Sequence, residues 1–221
     1  MRSSGTLHVN AWPHEVSPPP AAGPLVVVRV ENRRTDTADY EVGAKYNPQW
    51  GYEASTIDLR DNASLSDQVT QDAVAILRQQ GYRAHGIREA AAETADILVT
   101  VRIEVFNVLL ILGQDIRLDG LLVMEAVQSR DSRRQADAVG ARFELKTSLY
   151  PSDAEFQSCF DRLYSTLRDK MRERLIDLTS LSNASAGGTC RRDAMSASSD
   201  DARARDGQAG PAIGATGSAR T

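Results

Sequence analysis

The chain has 221 residues, of which 41% are hydrophobic and 25% are charged, and its formal net charge is −4. This length favours one domain with extensions, and the apolar content is sufficient for one hydrophobic core. The acidic balance argues against nucleic acid as a partner, because phosphate binding needs a concentrated basic face.

Cysteine and histidine are too sparse to define a site. Cys159 and Cys190 make no disulfide framework, no Cys-x-x-Cys occurs, and His8, His14 and His85 are far apart in sequence. We therefore expect no metal ion and no cofactor. No apolar stretch reaches the roughly 18–20 residues that a membrane-spanning helix needs. The sequence as written begins without a secretory signal, so we expect a soluble chain if Met1 is the true start.

Both termini have compositions that differ from the middle of the chain. Residues 1–23 are rich in proline, which fixes φ and removes amide donors, so we predict an extended leader. Residues 181–221 are mostly small and polar and cannot offset their ordering entropy by burial, which predicts a disordered tail. Residues 24–180 between them form the predicted single α+β domain.

The first half of this domain is predicted to contain a strand, a long connection and a helix. Leu25 to Val30 is short and β-branched, which is typical of a central strand. Residues 31–62 hold several aromatic side chains without a clear pattern and are predicted to form a long loop. Ser64 then caps an amphipathic helix, and Gly81 ends that helix in a left-handed conformation.

Four further strands are predicted, beginning with a short strand at residues 82–87. The next strand has a buried face of alternating apolar residues: Ile97, Val99, Val101, Ile103 and Val105. Residues 115–128 and the segment Ala141 to Leu145 continue it as an antiparallel meander. Gly120 falls on the buried side, where we expect a helix to approach closely.

A second helix follows Pro151, with Ser152 and Glu155 as its capping box. Its apolar stripe consists of Phe156, Phe160, Leu163, Leu167, Met171, Leu175 and Leu178. The predicted fold is therefore α+β in the order β-α-β-β-β-β-α. We expect a mixed or antiparallel sheet of about four to five strands with both helices packed on one face.

Several segments match a known family pattern. The first strand ends in Glu31-Asn32-Arg33, with Gly43 close behind, and the first helix ends in Leu77–Tyr82. Ala95–Val101 and the two long strands after it have similar spacing. Together these segments resemble the YajG-like family of bacterial lipoproteins over about residues 24–178, through patterns of apolar alternation and a few glycines.

The resemblance implies an outer-membrane lipoprotein that faces the periplasm and has no established activity. Family members have a signal peptide and a lipidated cysteine shortly before the domain, whereas no cysteine precedes Cys159 here. Either the true start lies upstream of Met1, which we favour, or this chain has lost its anchor. Membrane association is thus expected only through an anchor absent from this sequence, and the alternative is a cytoplasmic location.

No catalytic residues are predicted. Nucleophilic catalysis requires Ser or Cys beside an oriented base, and no Gly-x-Ser-x-Gly turn is present. His85 and the acidic segment Asp58–Asp72 are the remaining candidates. A solvated histidine, turn chemistry and helix N-terminal electrostatics explain them more simply. Buried packing likewise explains Cys159 without reactivity.

Three features are predicted as possible interaction sites. The aromatic residues of the long connection can anchor a partner or fold back over the core. An apolar connector is expected to be buried under a helix or in a dimer contact, or else to dock a membrane or partner. The Arg33-Arg34 pair fits a solvated turn better than a phosphate site. The candidate residues are Arg33, Arg34, Tyr46, Trp50, Tyr52, Leu109, Leu110 and Ile111.

Together these features favour a non-enzymatic module of the cell envelope that binds a protein, a lipid or peptidoglycan, or assembles as a homo-oligomer. One alternative is a cytoplasmic scaffold or oligomerising protein. A second is a small hydrolase, which would need His85 or the Asp58–Asp72 region to line a pocket.

Overall fold

A computed structural model of the chain describes residues 7–13, 18–35, 37–47, 52–89, 95–111, 115–146 and 152–184. In chain order, the elements are β1 (Leu7–Val9), β2 (Leu25–Asn32), β3 (Glu41–Asn47), β4 (Tyr52–Leu59), a 3-10 turn (Arg60–Asn62), α1 (Leu65–Gln79), β5 (Arg83–Gly86), β6 (Ile97–Ile111), β7 (Ile116–Gln128), β8 (Arg134–Leu145) and α2 (Asp153–Ala184). The chain divides into the units Met1–Gly188 and Thr189–Thr221, and the described residues all belong to the first. The predicted tail lies outside the described residues from residue 185 onward.

Strand β6 organises the sheet because its 15 residues are long enough to pair with three strands. Its first half pairs in parallel with β2, up to Ile103 opposite Asn32. Its second half pairs in parallel with β3, from Val108 opposite Gly43. On its other side β6 pairs antiparallel with β7 along nearly its whole length, and β8 continues that meander. Strands β2 and β3 therefore lie end to end along one side of β6.

The predicted α+β class, with a mixed sheet and two helices, is confirmed, and the described part of the chain contributes eight strands to the sheet. The five strands of the predicted order correspond to β2 and β5 to β8. The additional strands are β1, which lies within the predicted leader, and β3 and β4, which lie within the predicted long connection. Their patterns are weak because β1 has only three residues and the pairing of β3 with β4 shifts register twice, once with an extra residue in β3 and once with an extra residue in β4.

Both helices cover the same face of the sheet. Helix α1 packs on β2 and β5, α2 packs mainly on β7 and β8, and the two helices contact each other. The predicted apolar stripe of α2 is buried along its whole length, from Phe156 to Leu178. Gly120 lies directly beneath it, and a Cβ there would stand 2.4 Å from Leu167 Cδ1. The close helix approach predicted at this glycine is therefore confirmed.

The helix boundaries follow their capping residues. The Ser64 side chain accepts a hydrogen bond of 2.9 Å from the Asp67 amide at the start of α1. Gly81 follows the helix with φ of +88°, a conformation that costs glycine little. At α2 the Glu155 carboxylate accepts a 2.6 Å hydrogen bond from the Ser152 amide. The predicted caps are thus present at both helices.

One predicted side-chain orientation is wrong. Regular alternation along β6 places Val105 on the buried face, but the structure has a bulge between Ile103 and Val105 that adds one residue to β6. Val105 consequently points to solvent and is 38% exposed, while Phe106 takes the next buried position. The predicted apolar connector is also not a connector, because Leu109 to Ile111 form the end of β6.

Candidate interaction site

The junction between β2 and β3 is filled by the guanidinium group of Arg34. Its Nη1 donates to the carbonyl oxygens of Glu41 at 2.6 Å and Phe106 at 3.3 Å. Its Nη2 donates to the Ala38 carbonyl at 3.1 Å, and its Nε donates to Asn32 Oδ1 at 3.0 Å. Partial burial lowers the pKa of Arg34, against the opposing effect of Asp39 and Glu41. Arg34 therefore joins the two strands, because it supplies hydrogen bonds where the strand ladder is interrupted.

The same junction is tied to the start of α1 through Asp39. Its carboxylate accepts hydrogen bonds from the Ser64 hydroxyl, from the Ser66 hydroxyl at 2.7 Å and from Asn32 Nδ2 at 2.8 Å. Burial by itself would raise the pKa of Asp39, but these hydrogen bonds favour the ionised form and the net pKa is lowered. The segment after β2 thus orients both Arg34 and the first turn of α1.

A cleft of about 320 Å³ opens beside this junction. It exists because neither β2 nor β3 pairs with the β6 residues between Ile103 and Val108. Residues lining the cleft include Arg34, Thr37, Glu41, Glu104, Val105 and Asn107. The bulge in β6 places Val105 at the cleft wall. An apolar side chain and two carboxylates thus lie side by side at the surface.

The cleft lies on the side of the sheet that the helices do not cover, which we call the open face. On β6 and β7 it consists of the residues that alternate with the core: Leu98, Thr100, Arg102, Val105, Asn107, Leu109, Ile111, Arg117, Asp119, Leu121, Val123, Glu125 and Val127. Its charges are paired on neighbouring strands, as Arg102 is with Glu125 and Asp119 with Arg142 of β8. Because these charges are already neutralised, the open face presents apolar side chains between ion pairs.

The structure brings together candidate residues that are distant in the sequence. Tyr46 on β3 stands beside Ile111 on β6, and Ala44 stands beside Leu109. All four are partly exposed and lie on the open face. Leu110 differs because it is only 1% exposed and belongs to the core. A role for Tyr46, Leu109 and Ile111 in an interface stays a prediction, whereas Leu110 contributes to packing.

The other candidates are placed as follows. Arg33 is 58% exposed and forms an ion pair of 2.6 Å with Glu31, so its guanidinium remains accessible. Tyr52 begins β4 opposite Asn47, and its side chain lies outside the described part of the structure. Trp50 also lies outside the described residues.

The residues considered for catalysis stand in separate places. His85 lies on the edge strand β5, where its Nδ1 is 3.4 Å from the Glu89 carboxylate. Asp58 is buried on β4, and the described residues give its Oδ1 no hydrogen-bond partner. Cys159 is buried on α2, and burial raises the pKa of its thiol. Within the described ranges, no group of three or more His, Cys, Asp and Glu residues could hold a metal ion.

Asp72 belongs to a buried network between the helices. It is 1% exposed and accepts hydrogen bonds from the Tyr164 hydroxyl at 2.6 Å and from Arg168 Nε at 3.2 Å. Burial, reinforced by the Asp72 charge, raises the pKa of Tyr164 well above its usual range. This network connects α1 to α2 and is explained by structure alone, since a paired charge is the usual form of a buried carboxylate.

Sequence reasoning missed the bulge, the Arg34 junction and the Asp39 cluster. The bulge leaves a weak trace, because the apolar residues run Ile97, Val99, Val101 and Ile103 and then shift to Phe106, Val108 and Leu110. That change of phase predicts one extra residue in the strand. The contacts of Arg34 and Asp39 leave no such trace, since they depend on strands that the sequence pattern did not reveal.

Fold and site define an α+β protein with an eight-stranded mixed sheet, two helices on one face and a partly apolar open face. No known family model matches the chain, and no curated protein matches it in sequence. Among solved structures, protein XCC0632 from Xanthomonas campestris, described as DUF330, is similar with a TM-score of 0.52 and 12% identity, over 82% of this chain and 99% of that chain.

Two other solved structures are similar over a smaller part of the chain. The PelC dodecamer from Paraburkholderia phytofirmans has a TM-score of 0.33 at 14% identity, covering 71% of this chain and 96% of that chain. Lipoprotein GNA1162 from Neisseria meningitidis has a TM-score of 0.34 at 10% identity, covering 67% and 99%. The similarity to XCC0632 indicates a common fold.

Proposed function

We propose that this chain is a non-enzymatic binding or assembly module of the bacterial cell envelope that faces the periplasm. The observation that carries the proposal is the open face of the sheet, where apolar side chains alternate with paired charges beside the cleft. Such a surface favours docking, because an approaching protein can bury the apolar groups while the ion pairs of Arg102 with Glu125 and of Asp119 with Arg142 stay intact. The partner expected here is an envelope protein with a matching apolar surface.

Two further points support this proposal. The first is the resemblance of residues 24–178 to the YajG-like lipoproteins, which implies the envelope location. The second is the separation of the reactive side chains, since His85, Asp58 and Cys159 lie on different elements and a nucleophile needs its base within hydrogen-bond reach. Among the described residues, no helix is long and apolar enough to cross a membrane.

The location is tested by expressing the gene with its natural upstream region and fractionating the cells. We expect the protein in the envelope fraction, accessible to protease added to the periplasmic side of spheroplasts. Recovery in the cytosol alone would instead favour a cytoplasmic scaffold and would overturn the proposed location.

The docking surface is tested by photo-crosslinking in living cells. A photoreactive amino acid at Val105 samples the open face, and the same group at Asp169 of α2 samples an exposed position on the helical side. We expect a discrete adduct with an envelope protein at Val105 and none at Asp169. Equal labelling at Val105 and Asp169 would exclude the open face as the docking surface. The absence of an adduct at both Val105 and Leu121, a second open-face position, would exclude it as well. An adduct with a second copy of the chain would make it a self-association surface.

A further inference from the structure

Three strands of the described sheet have a neighbour on one side only: β1, β5 and β8. The two short edges are engaged by side chains. On β5 the Ala84 carbonyl accepts a hydrogen bond of 2.9 Å from Arg78 Nε. Directly after β1, both the amide and the carbonyl of Asn10 bond to the Gln157 side chain. Strand β8 is the long edge, with 12 residues.

Two backbone groups at the centre of β8 point away from β7. The Ala138 amide donates to Asp137 Oδ1 at 2.7 Å, and the Gly140 carbonyl accepts from Lys170 Nζ at 2.6 Å. A carboxylate and an ammonium group thus stand where the carbonyl and amide of a neighbouring strand would stand. If a second strand of the same sequence pairs antiparallel with β8, the Ala138 amide and the Gly140 carbonyl have the spacing needed to bond to the Gly140 carbonyl and the Ala138 amide of that strand.

We propose that β8 is a self-pairing edge, through which two copies of this chain join their sheets antiparallel about a two-fold axis at Val139. In that arrangement, the Ala138 amide bonds to Gly140 of the partner subunit, and the reciprocal bond forms across the axis. The Asp137 and Lys170 side chains move aside when the strands pair. This inference is independent of the proposed envelope role.

The charges of β8 select this register over its neighbours. With Val139 on the axis, Arg134 stands opposite Glu144 of the partner subunit, and this ion pair occurs twice. Pairing centred on Ala138 would place Arg134 opposite Arg142 of the partner subunit. Pairing centred on Gly140 would place Glu144 opposite Ala136 of the partner subunit and form no ion pair. With the axis at Val139, the two β8 strands also overlap over almost their whole length.

The shape of the edge permits the approach. At its centre the residues that face away from α2 are Ala136, Ala138 and Gly140, which are exposed and small. Lysine beside an edge strand commonly protects it from unwanted pairing. Here Lys170 is on α2 rather than on β8, and it covers one carbonyl of a long strand. Replacing Lys170 therefore distinguishes an edge that the lysine protects from an edge that pairs with a second copy of the chain.

The mass of the full chain in solution tests the proposal. Sedimentation across protein concentrations should show the average mass rising from 24.1 kDa toward twice that value. Ala138→Pro deletes an amide at an exposed edge position and should weaken association about tenfold or more. Ala138→Ser keeps the amide and should associate like the wild type. Association that Ala138→Pro leaves unchanged would overturn the proposal.

Charge reversal provides a second test that leaves the backbone unchanged. Arg134→Glu and Glu144→Arg should each weaken association about tenfold, because like charges then face each other twice. The double variant should recover wild-type association. A double variant no tighter than the single variants would overturn the register. A chain that stays monomeric at every concentration, both as wild type and as Lys170→Met, would overturn self-pairing itself. Neither result changes the crosslinks expected at the open face, so the self-pairing edge and the proposed function can be refuted independently.

Discussion

Replacing Gly120 by alanine tests how closely α2 approaches the sheet. The added Cβ would stand 2.4 Å from Leu167 Cδ1 and 3.2 Å from Leu163 Cδ1, so both leucines must shift within a packed core. Overpacking of this kind costs about 1–3 kcal/mol. Alanine has no backbone disadvantage here, since Gly120 lacks a positive φ. We expect Gly120→Ala to lower the free energy of unfolding by about 2 kcal/mol, measured by urea denaturation.

A double-mutant cycle and a matched control sharpen this prediction. Leu167→Ala alone should cost about 2–5 kcal/mol because it leaves a cavity. The new methyl group of Gly120→Ala partly fills that cavity, so the double variant should be more stable than the sum of the single effects by about 2 kcal/mol. Gly140→Ala on the adjacent strand is the control, since its Cβ would meet nothing nearer than 3.4 Å. Additive effects, or an equal cost at Gly140, would refute the close approach.

Three further predictions concern the junction of β2 and β3. Gly43→Ala should lower the free energy of unfolding by about 3 kcal/mol or more in urea denaturation, which is more than Gly120→Ala. The added Cβ would stand 2.1 Å from the backbone oxygen of Val108, and no side-chain rotation can relieve that contact. Arg34→Met should cost about 1.5–3 kcal/mol by leaving carbonyls unpaired, whereas the exposed Arg33→Met should stay within about 0.5 kcal/mol; equal effects would contradict the bridging role. The pKa of Asp39 is lower in the folded state than in the unfolded state. Its contribution to the free energy of unfolding is therefore present above its unfolded-state pKa and is lost as the pH falls through its folded-state pKa. The stability difference between the wild type and Asp39→Asn should therefore shrink in acid, and a difference that grows in acid would contradict this assignment.

Long periodic segments made most of the fold predictable. The stripe of α2, the caps at Ser64 and Ser152, and the alternation of β7 are local patterns that the sequence displays directly. Gly120 was informative for the same reason, because a glycine on the buried side of a regular strand has few explanations. The meander of β6, β7 and β8 follows from consecutive antiparallel strands with short turns.

The parts that escaped prediction depend on non-local pairing. Strand β1 pairs with β4 far along the chain, and β3 pairs with β6 more than 60 residues away as well as with β4, the strand that follows it. The exposure of Val105 depends on a single extra residue in β6, which reverses the side-chain alternation beyond it. The predicted grouping of Leu109, Leu110 and Ile111 failed as a unit because alternate residues of a strand face opposite sides.

The features of the open face arise from one property of β6. A strand that accommodates β2 and β3 end to end must leave a gap where one partner stops and the other begins, and backbone groups at that gap need other donors. Arg34 supplies them, and the bulge at the same place turns Val105 outward. If the gap were only a packing defect, an apolar side chain in place of Arg34 would fill it at less desolvation cost. The guanidinium instead donates to the carbonyl oxygens of Glu41, Phe106 and Ala38, and together with the exposed Val105 it lines a cleft with a polar rim.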